Sequence, residues 1–396
     1  MLILKNARLV DAQGEKEGSI LIEDGRIKLI TSLKGYEDTE TLDLEGLTVM
    51  PAFCDTHAHF RDPGMTYKED LETGSRAALA GGFTTVNLMG NTKPIVDSKE
   101  VHDDIIKRAR ELKLIDIHQV MAVTKGFNDK DLIDFENLPE GLKCLSDDGT
   151  GILSNLTMYR ALEKAKEKGL TIMVHAEDPD ISPFDYRAAE DLITVRDVYL
   201  SGHLDARVHM SHVSTRGSME AIIEGKKRGF PVTCEVTPQH LNMWDDDYRI
   251  NPPIRKKEDV DFLVHAIKTG YVDSLGTDHA PHSEEDKKKG SPGMIALESA
   301  FSLCYTKLVE EHQLSLSQLS SFMSQGGLRV LGVENRGLIK DGYEAHLVVV
   351  DTNKEYIFSE DHIHSKSKNS PFIGKKLKGQ VLMTIVGDKV LFRRDK

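Results

Sequence analysis

Apolar and polar positions change their period along this chain of 396 residues, and the changes divide it into three stretches. The opening stretch carries short apolar runs separated by turn residues: MLILKNARLV, then SILIEDGRIKLI, then LTVMP. This pattern predicts strands, with Asp24-Gly25 as a hairpin turn, because an Asp-Gly pair accepts the positive φ angles of a two-residue loop. The far end has the same texture. AHLVVVD and VLMTIVGDKVLF predict two more strand regions, the second broken at Gly387-Asp388, with a polar, irregular stretch between them.

Between the ends, apolar runs alternate with amphipathic segments, the texture of a parallel sheet wrapped in helices. FTTVNLM is followed by SKEVHDDIIKRARELK, in which Val101, Ile105, Ala109 and Leu112 share one helical face, and then by IDIHQVMAV. LTIMVHAED, RVHMSHVS, PVTCEVTP and VDSLGTDHA continue the series, and Gly169 and Gly229 are placed to end helices. An open doubly wound sheet would gather its chemistry at one switch point with a glycine-rich loop, and no such loop is evident. Here chemically capable residues sit at the ends of many strands, as on the rim of a barrel. The expected fold class is therefore α/β: a (β/α)8 barrel over 51–334, with a small β domain built from 1–50 and 335–396.

Composition narrows the function classes. No apolar run approaches the ~20 residues that span a bilayer, and the start lacks the pattern of a secretory signal. A cytoplasmic protein with no membrane contact is expected. The net charge of −13 argues against a nucleic-acid partner, since phosphate backbones are held by clustered Lys and Arg. The basic run Lys287–Lys289, beside Glu284, Glu285 and Asp286, reads as a solvated loop. Cys54, Cys144, Cys234 and Cys304 lie far apart without C-x-x-C spacing, which fits reduced thiols.

The strongest local signal is HAHFR. Residues two apart on a strand point the same way, so His57 and His59 face one space and make half of a zinc site. Three more strand ends supply metal-ligand types: His175 in IMVHAED, His212 in HMSHVS and Asp278 in GTDHAPH. A pair of zinc ions needs a bridging ligand, and LSDDGTG offers Asp147 and Asp148, which spacing alone does not separate. Such a site makes hydroxide available near neutral pH, with Asp278 placed to carry a proton to a leaving nitrogen. Arg61, two past His59, points the same way if the strand continues, and its planar fork suits a carboxylate. Asn91, Asn251 and His282 fall where strands or loops reach the rim. His209, His240 and His279 read as structural, because the site is filled without them.

Taken together, DTHAHFRDPG, GGFTTV, LMGNTKP, SDDGTG, VHAED, HVST, EVTPQHL, INPPIR, TDHAPH and SPFIGKKLKGQV resemble the amidohydrolase superfamily, and within it the long-chain bacterial dihydroorotases. The resemblance runs over nearly the whole chain, and the fold it implies is a (β/α)8 barrel plus a β-sandwich built from both termini. It implies two Zn2+ per subunit, with His57, His59 and Asp278 on one, His175 and His212 on the other, and Asp148 bridging. Related hydrolases bridge with a carboxylated lysine, for which Lys143 is the alternative here. It further implies that Arg61, Asn91, Asn251, His282, Pro292 and Gly293 contact substrate. The implied reaction is reversible cyclisation of N-carbamoyl-L-aspartate to dihydroorotate. A homodimer, or association with aspartate transcarbamoylase, is also implied. Two rivals remain: a hydantoinase or allantoinase type acting on other cyclic ureides, and a non-catalytic partner of aspartate transcarbamoylase.

Overall fold

The computed structural model describes residues 1–394. Eight parallel strands form the central barrel: Phe53–Ala58, Phe83–Leu88, Asp116–Gln119, Cys144–Leu145, Thr171–Val174, Val208–Met210, Val232–Val236 and Ser274–Leu275. Single bridges complete the circuit, Met121 to Leu145 between the third and fourth strands and Ala58 to His279 between the last and the first. Every residue of the first two strands is buried, as expected where one face meets helices and the other fills the barrel.

The helices between strands follow the amphipathic pattern. Lys99–Leu112 starts at Ser98, whose side chain caps the Val101 amide, and buries His102, Ile105 and Ala109. Asn155–Lys168 stops at Gly169, which adopts φ +69, a conformation that costs glycine little. Gly229, at φ +78, lies one residue beyond the cap of Arg216–Lys227. Among the described residues no helix is long and apolar enough to cross a membrane.

Both termini build one mixed eight-stranded sheet. Leu2–Asp11 pairs with Gly14–Glu23, which turns at Asp24-Gly25 into Arg26–Ile30. Thr48–Pro51 joins this half to His346–Ile357, which pairs with Lys376–Val386. The sheet curls so that Ile27 N–H reaches Tyr343 O at 2.8 Å, enclosing a core of Leu4, Leu9, Ile20, Ile22, Leu347 and Ile385. The stretch between the last long strands returns to the barrel instead of staying with the sheet. Ser365 Oγ donates to Glu69, Ser367 Oγ donates to Lys68 O at 2.7 Å, and Asn369 reaches the loop after Asp278.

Candidate metal centre

Five elements bring their C-terminal ends to one rim, and each delivers a polar side chain into the same small space. His57 belongs to the first barrel strand and His59 follows its end, with ring centroids 5.3 Å apart. Asp148 follows the fourth strand, His175 the fifth, His212 the sixth and Asp278 the eighth. Asp148 Oδ1 lies 3.4 Å from His57 Nε2, 3.4 Å from His175 Nδ1 and 3.5 Å from His212 Nε2, while its Oδ2 lies 3.6 Å from His59 Nε2. Asp278 Oδ1 is 3.2 Å from His59 Nε2 and 4.0 Å from His57 Nε2. Two overlapping groups, His57, Asp148 and His212, and His57, His59 and Asp278, each have donor atoms close enough to share a cation.

The charges and unpaired atoms fit a cation. His57 Nε2 and Asp148 Oδ1 are buried without a hydrogen-bond partner, an expensive state unless a third species lies between them. Burial disfavours charge on His57, yet Asp148 and Glu235 on either side lift its pKa well above the ordinary value. Burial likewise works to raise Asp148, but His57, His175 and His212 hold it well below the usual carboxylate range. A carboxylate ringed by imidazoles, with lone pairs converging, is the donor set that zinc takes.

The surrounding groups aim the ligands. Glu235 Oε1 accepts from His57 Nδ1 at 2.9 Å and from the His212 amide at 3.1 Å, and Oε2 faces His209 Nε2 at 3.0 Å. With Nδ1 so engaged, His57 presents Nε2 to the cluster. Gly276 makes room for this carboxylate, since a Cβ there would lie 2.3 Å from the Glu235 carboxyl carbon. His59 Nδ1 is held by Asn91 Oδ1 at 2.9 Å, and Asn91 Nδ2 donates to Asp148 Oδ2 at 3.2 Å. His175 turns Nε2 toward Glu177, 3.1 Å away, and leaves Nδ1 for the cluster; Asn251 Nδ2 also donates to Glu177, at 2.8 Å. Arg61, His212 and Asp278 have φ of 59, 36 and 46, left-handed values that cost a non-glycine residue roughly 1–3 kcal/mol.

A cavity of about 220 Å³ opens over the cluster, lined by His59, Arg61, Asn91, Asp148, His175 and His212 together with Asn251, Asp278, His282, Pro292 and Gly293. All the residues expected to touch substrate therefore line one space. Arg61 is 9% exposed, and among the described residues no carboxylate lies within ion-pair distance of it. Its nearest polar contacts are Pro281 O at 3.3 Å and His282 Nε2 at 3.4 Å.

Several expectations change. Strand alternation does not carry Arg61 into the cavity, because the strand ends at Ala58 and Arg61 is left-handed; the turn itself aims the side chain. Asp147 and Asp148 are now distinct. Asp147 turns away to accept the Val123 amide at 2.6 Å and the Thr124 amide at 3.1 Å, with its pKa pushed up to about 6 by burial. Lys143 precedes its strand and lines a cavity at the opposite end of the barrel with Arg207, Phe230 and Arg329, far from bridging reach. Lys288 and Lys289 are solvated as expected, but the run is not a loop throughout: Glu284–Lys288 is a short helix, and Lys287 donates to Arg249 O, Ser291 O and Gly293 O at 2.9–3.0 Å. Burial, aided by Arg249, pulls its pKa down to about 8.

Spacing and strand ends do not single out Glu235 or Glu177, and they give Lys287 only as part of a solvated basic run. A carboxylate inside the apolar run Val232–Val236 was the available signal for Glu235, because a parallel barrel strand buries both faces. His209, His240 and His279 stand outside the cluster. His209 supports Glu235, His240 Nε2 contacts Pro252 O at 3.0 Å, and His279 Nδ1 accepts the Ala296 amide at 3.1 Å. The four cysteines are free and buried.

A family model described as the amidohydrolase family matches residues 48–391. A dihydroorotase of Clostridium botulinum (strain Eklund 17B / Type B) is 48% identical over 397 residues, covering 99% of this chain and 100% of the relative. A dihydroorotase of Aquifex aeolicus (strain VF5) is 37% identical over 420 residues, covering 99% of each. Among solved structures, an L-hydantoinase (dihydropyrimidinase) from Arthrobacter aurescens superposes with a TM-score of 0.90 at 26% identity, covering 100% of this chain and 96% of that one.

Proposed function

Because this chain belongs to the amidohydrolase family, we propose from its metal-type rim and the buried guanidinium at its cavity that it is a dihydroorotase, closing N-carbamoyl-L-aspartate to dihydroorotate and water and reopening the ring in reverse. The observation that carries this choice of substrate is Arg61, a buried guanidinium without an acid partner at the edge of the cavity. An unpaired buried charge is costly, and a substrate carboxylate would offset that cost with bidentate hydrogen bonds. A hydantoinase substrate without a carboxylate leaves the guanidinium only the more distant charges of Asp278, Asp148 and Asp286 to offset its burial. The dihydroorotase relatives, full-length and up to 48% identical, support the same reading.

His57, His59 and Asp278 are proposed to hold one zinc ion, and His175 and His212 the other, with Asp148 between them. When bound, the pair supplies Lewis acidity that lowers the pKa of water and polarises a carbonyl. The chain's own residues do the rest. Asp278 lines the cavity; burial works to raise its pKa, but the His59 contact and the His57 charge hold it below the ordinary value, so it is ionised at neutral pH. In the hydrolytic direction it accepts the proton of the attacking water and returns it to the ring nitrogen as the C–N bond breaks; in the closing direction the same proton travels back. Arg61, Asn91, Asn251 and His282 orient the substrate, and the Pro292-Gly293 loop covers it. A cytoplasmic homodimer, with association with an aspartate transcarbamoylase, completes the proposal.

The test is hydrolysis of dihydroorotate beside hydantoin and allantoin, with and without added zinc, on wild type and Arg61→Met. Zinc-dependent turnover of dihydroorotate is expected, and Arg61→Met should retain zinc and weaken substrate binding about tenfold or more. Turnover of another ureide in place of dihydroorotate would reassign the substrate. A protein without activity or bound zinc would favour the non-catalytic partner.

A further inference from the structure

The Arg61 end of the cavity holds more donors than acceptors. Lys68 Nζ lies 3.2 Å from His282 Nδ1, and Arg61 Nη2 lies 3.4 Å from His282 Nε2. An ammonium has only donors, so the Lys68 contact is a hydrogen bond only when Nδ1 is the bare nitrogen. The Arg61 contact demands a bare Nε2, and a neutral ring has only one bare nitrogen; with the shorter Lys68 contact satisfied, Nε2 carries the proton and faces a guanidinium that also only donates. Two donors point at one small region, an unfavourable arrangement until an anionic oxygen accepts from both. Burial, with the charges of Arg61 and Lys68, pulls the His282 pKa down to about 3 and keeps the ring neutral.

Lys68 is itself fixed in place. It is 8% exposed, its Nζ lies 3.3 Å from Asp286 Oδ2, and Asp286 accepts from Ser283 Oγ at 2.8 Å. Its backbone carbonyl takes the Ser367 hydroxyl at 2.7 Å. Lys68 does not line the cavity, so its contact with the site is made through His282.

We propose that Lys68 is a positioning residue that sets the His282 tautomer, so that Nε2–H and the Arg61 guanidinium form a two-donor cradle for the substrate carboxylate. The identity of the anion rests on the dihydroorotase reading; the tautomer does not. Without Lys68 the imidazole can carry its proton on Nδ1 and turn an acceptor toward Arg61. The two residues would then satisfy each other and the cradle would close.

The experiment combines steady-state kinetics of zinc-loaded wild type and Lys68→Met on dihydroorotate with 15N spectra of the histidine rings, the His282 signals being assigned by their loss in His282→Asn. Wild type should show His282 protonated on Nε2, and Lys68→Met should shift it toward Nδ1. KM for dihydroorotate should rise about tenfold with kcat little changed. A wild-type His282 protonated on Nδ1, or a variant that loses kcat at unchanged KM, overturns the proposal. Should wild type not turn over dihydroorotate, the substrate reading fails, while the wild-type ring spectrum still decides the role of Lys68 even if the variant does not fold.

Discussion

Glu235 is the residue on which the aim of the cluster turns. It is fully buried and touches His57, His209 and the backbone of His212, so it fixes the ring of one proposed ligand and the main chain of another together. Its pKa lies well below the ordinary range because His57 and His209 offset the burial that would raise it. Outer partners of this kind are worth about 10–100-fold in metal affinity. Glu235→Gln should therefore fold but release zinc to a chelator at roughly 10–100-fold lower chelator concentration, measured by metal content after graded dialysis. Retention equal to wild type would show that His57 needs no such anchor. At this scale the sequence showed the residue types that face the cavity but not their supports. A ligand histidine is legible because few other roles suit several histidines at strand ends. Its anchor is one acid among 64 Asp and Glu, marked in the sequence only by lying inside an apolar strand run.

Among the elements, the helix Tyr186–Leu204 carries the clamp behind His212. Glu190 Oε1 accepts the Ser214 and Thr215 amides at 2.9 and 3.1 Å, and Oε2 accepts from Arg255 Nη2 at 3.0 Å. One side chain thus joins this helix, the start of Arg216–Lys227 and the loop after Asn251. Burial opposes its charge, but Arg255 and Ser214 bring its pKa below the ordinary value. A lowered folded pKa gives stability that is complete above the unfolded value of about 4.3 and is lost as pH falls through the folded value. Glu190→Gln leaves Arg255 buried without its partner and should cost about 3–5 kcal/mol in urea unfolding at pH 7. The variant should also lose part of the wild-type decline in stability on acidification below about pH 4.3. A cost below about 1 kcal/mol would mean that Arg255 reaches water when Glu190 is neutralised. The helices themselves were legible from period and caps, as Ser98 and Gly169 show, because those signals are local. The clamp was not, because its members are up to 65 residues apart.

Over the whole molecule, the terminal sheet and the barrel are tied through the site. Asn369, from the irregular stretch between the last long strands, donates to Ala280 O and Gly293 O at 3.1 Å each and accepts the His282 amide at 3.1 Å. It holds the cavity wall from outside the barrel, a role that a polar, irregular stretch does not announce in the sequence. Asn369→Ala should raise KM for dihydroorotate severalfold with zinc content and kcat near wild type, read from paired kinetics and metal analysis. A variant indistinguishable from wild type would leave the wall to Lys287, which shares the Gly293 O acceptor with Asn369 and also donates to Arg249 O and Ser291 O.

The sequence by itself determined the alternation of strand and helix, the two-ended β unit and the strand-end positions of His57, His59, His175, His212 and Asp278. These follow from short-range rules: apolar period selects the element, and parallel strands in a barrel put their ends on one rim. Tertiary structure alone decided between Asp147 and Asp148, placed Lys143 at the other end of the barrel and joined Lys68 to His282. Those outcomes depend on left-handed turns beyond the strands and on partners distant in the chain. Neither is encoded by spacing, because a side chain leaving a strand end takes its direction from the groups packed around it.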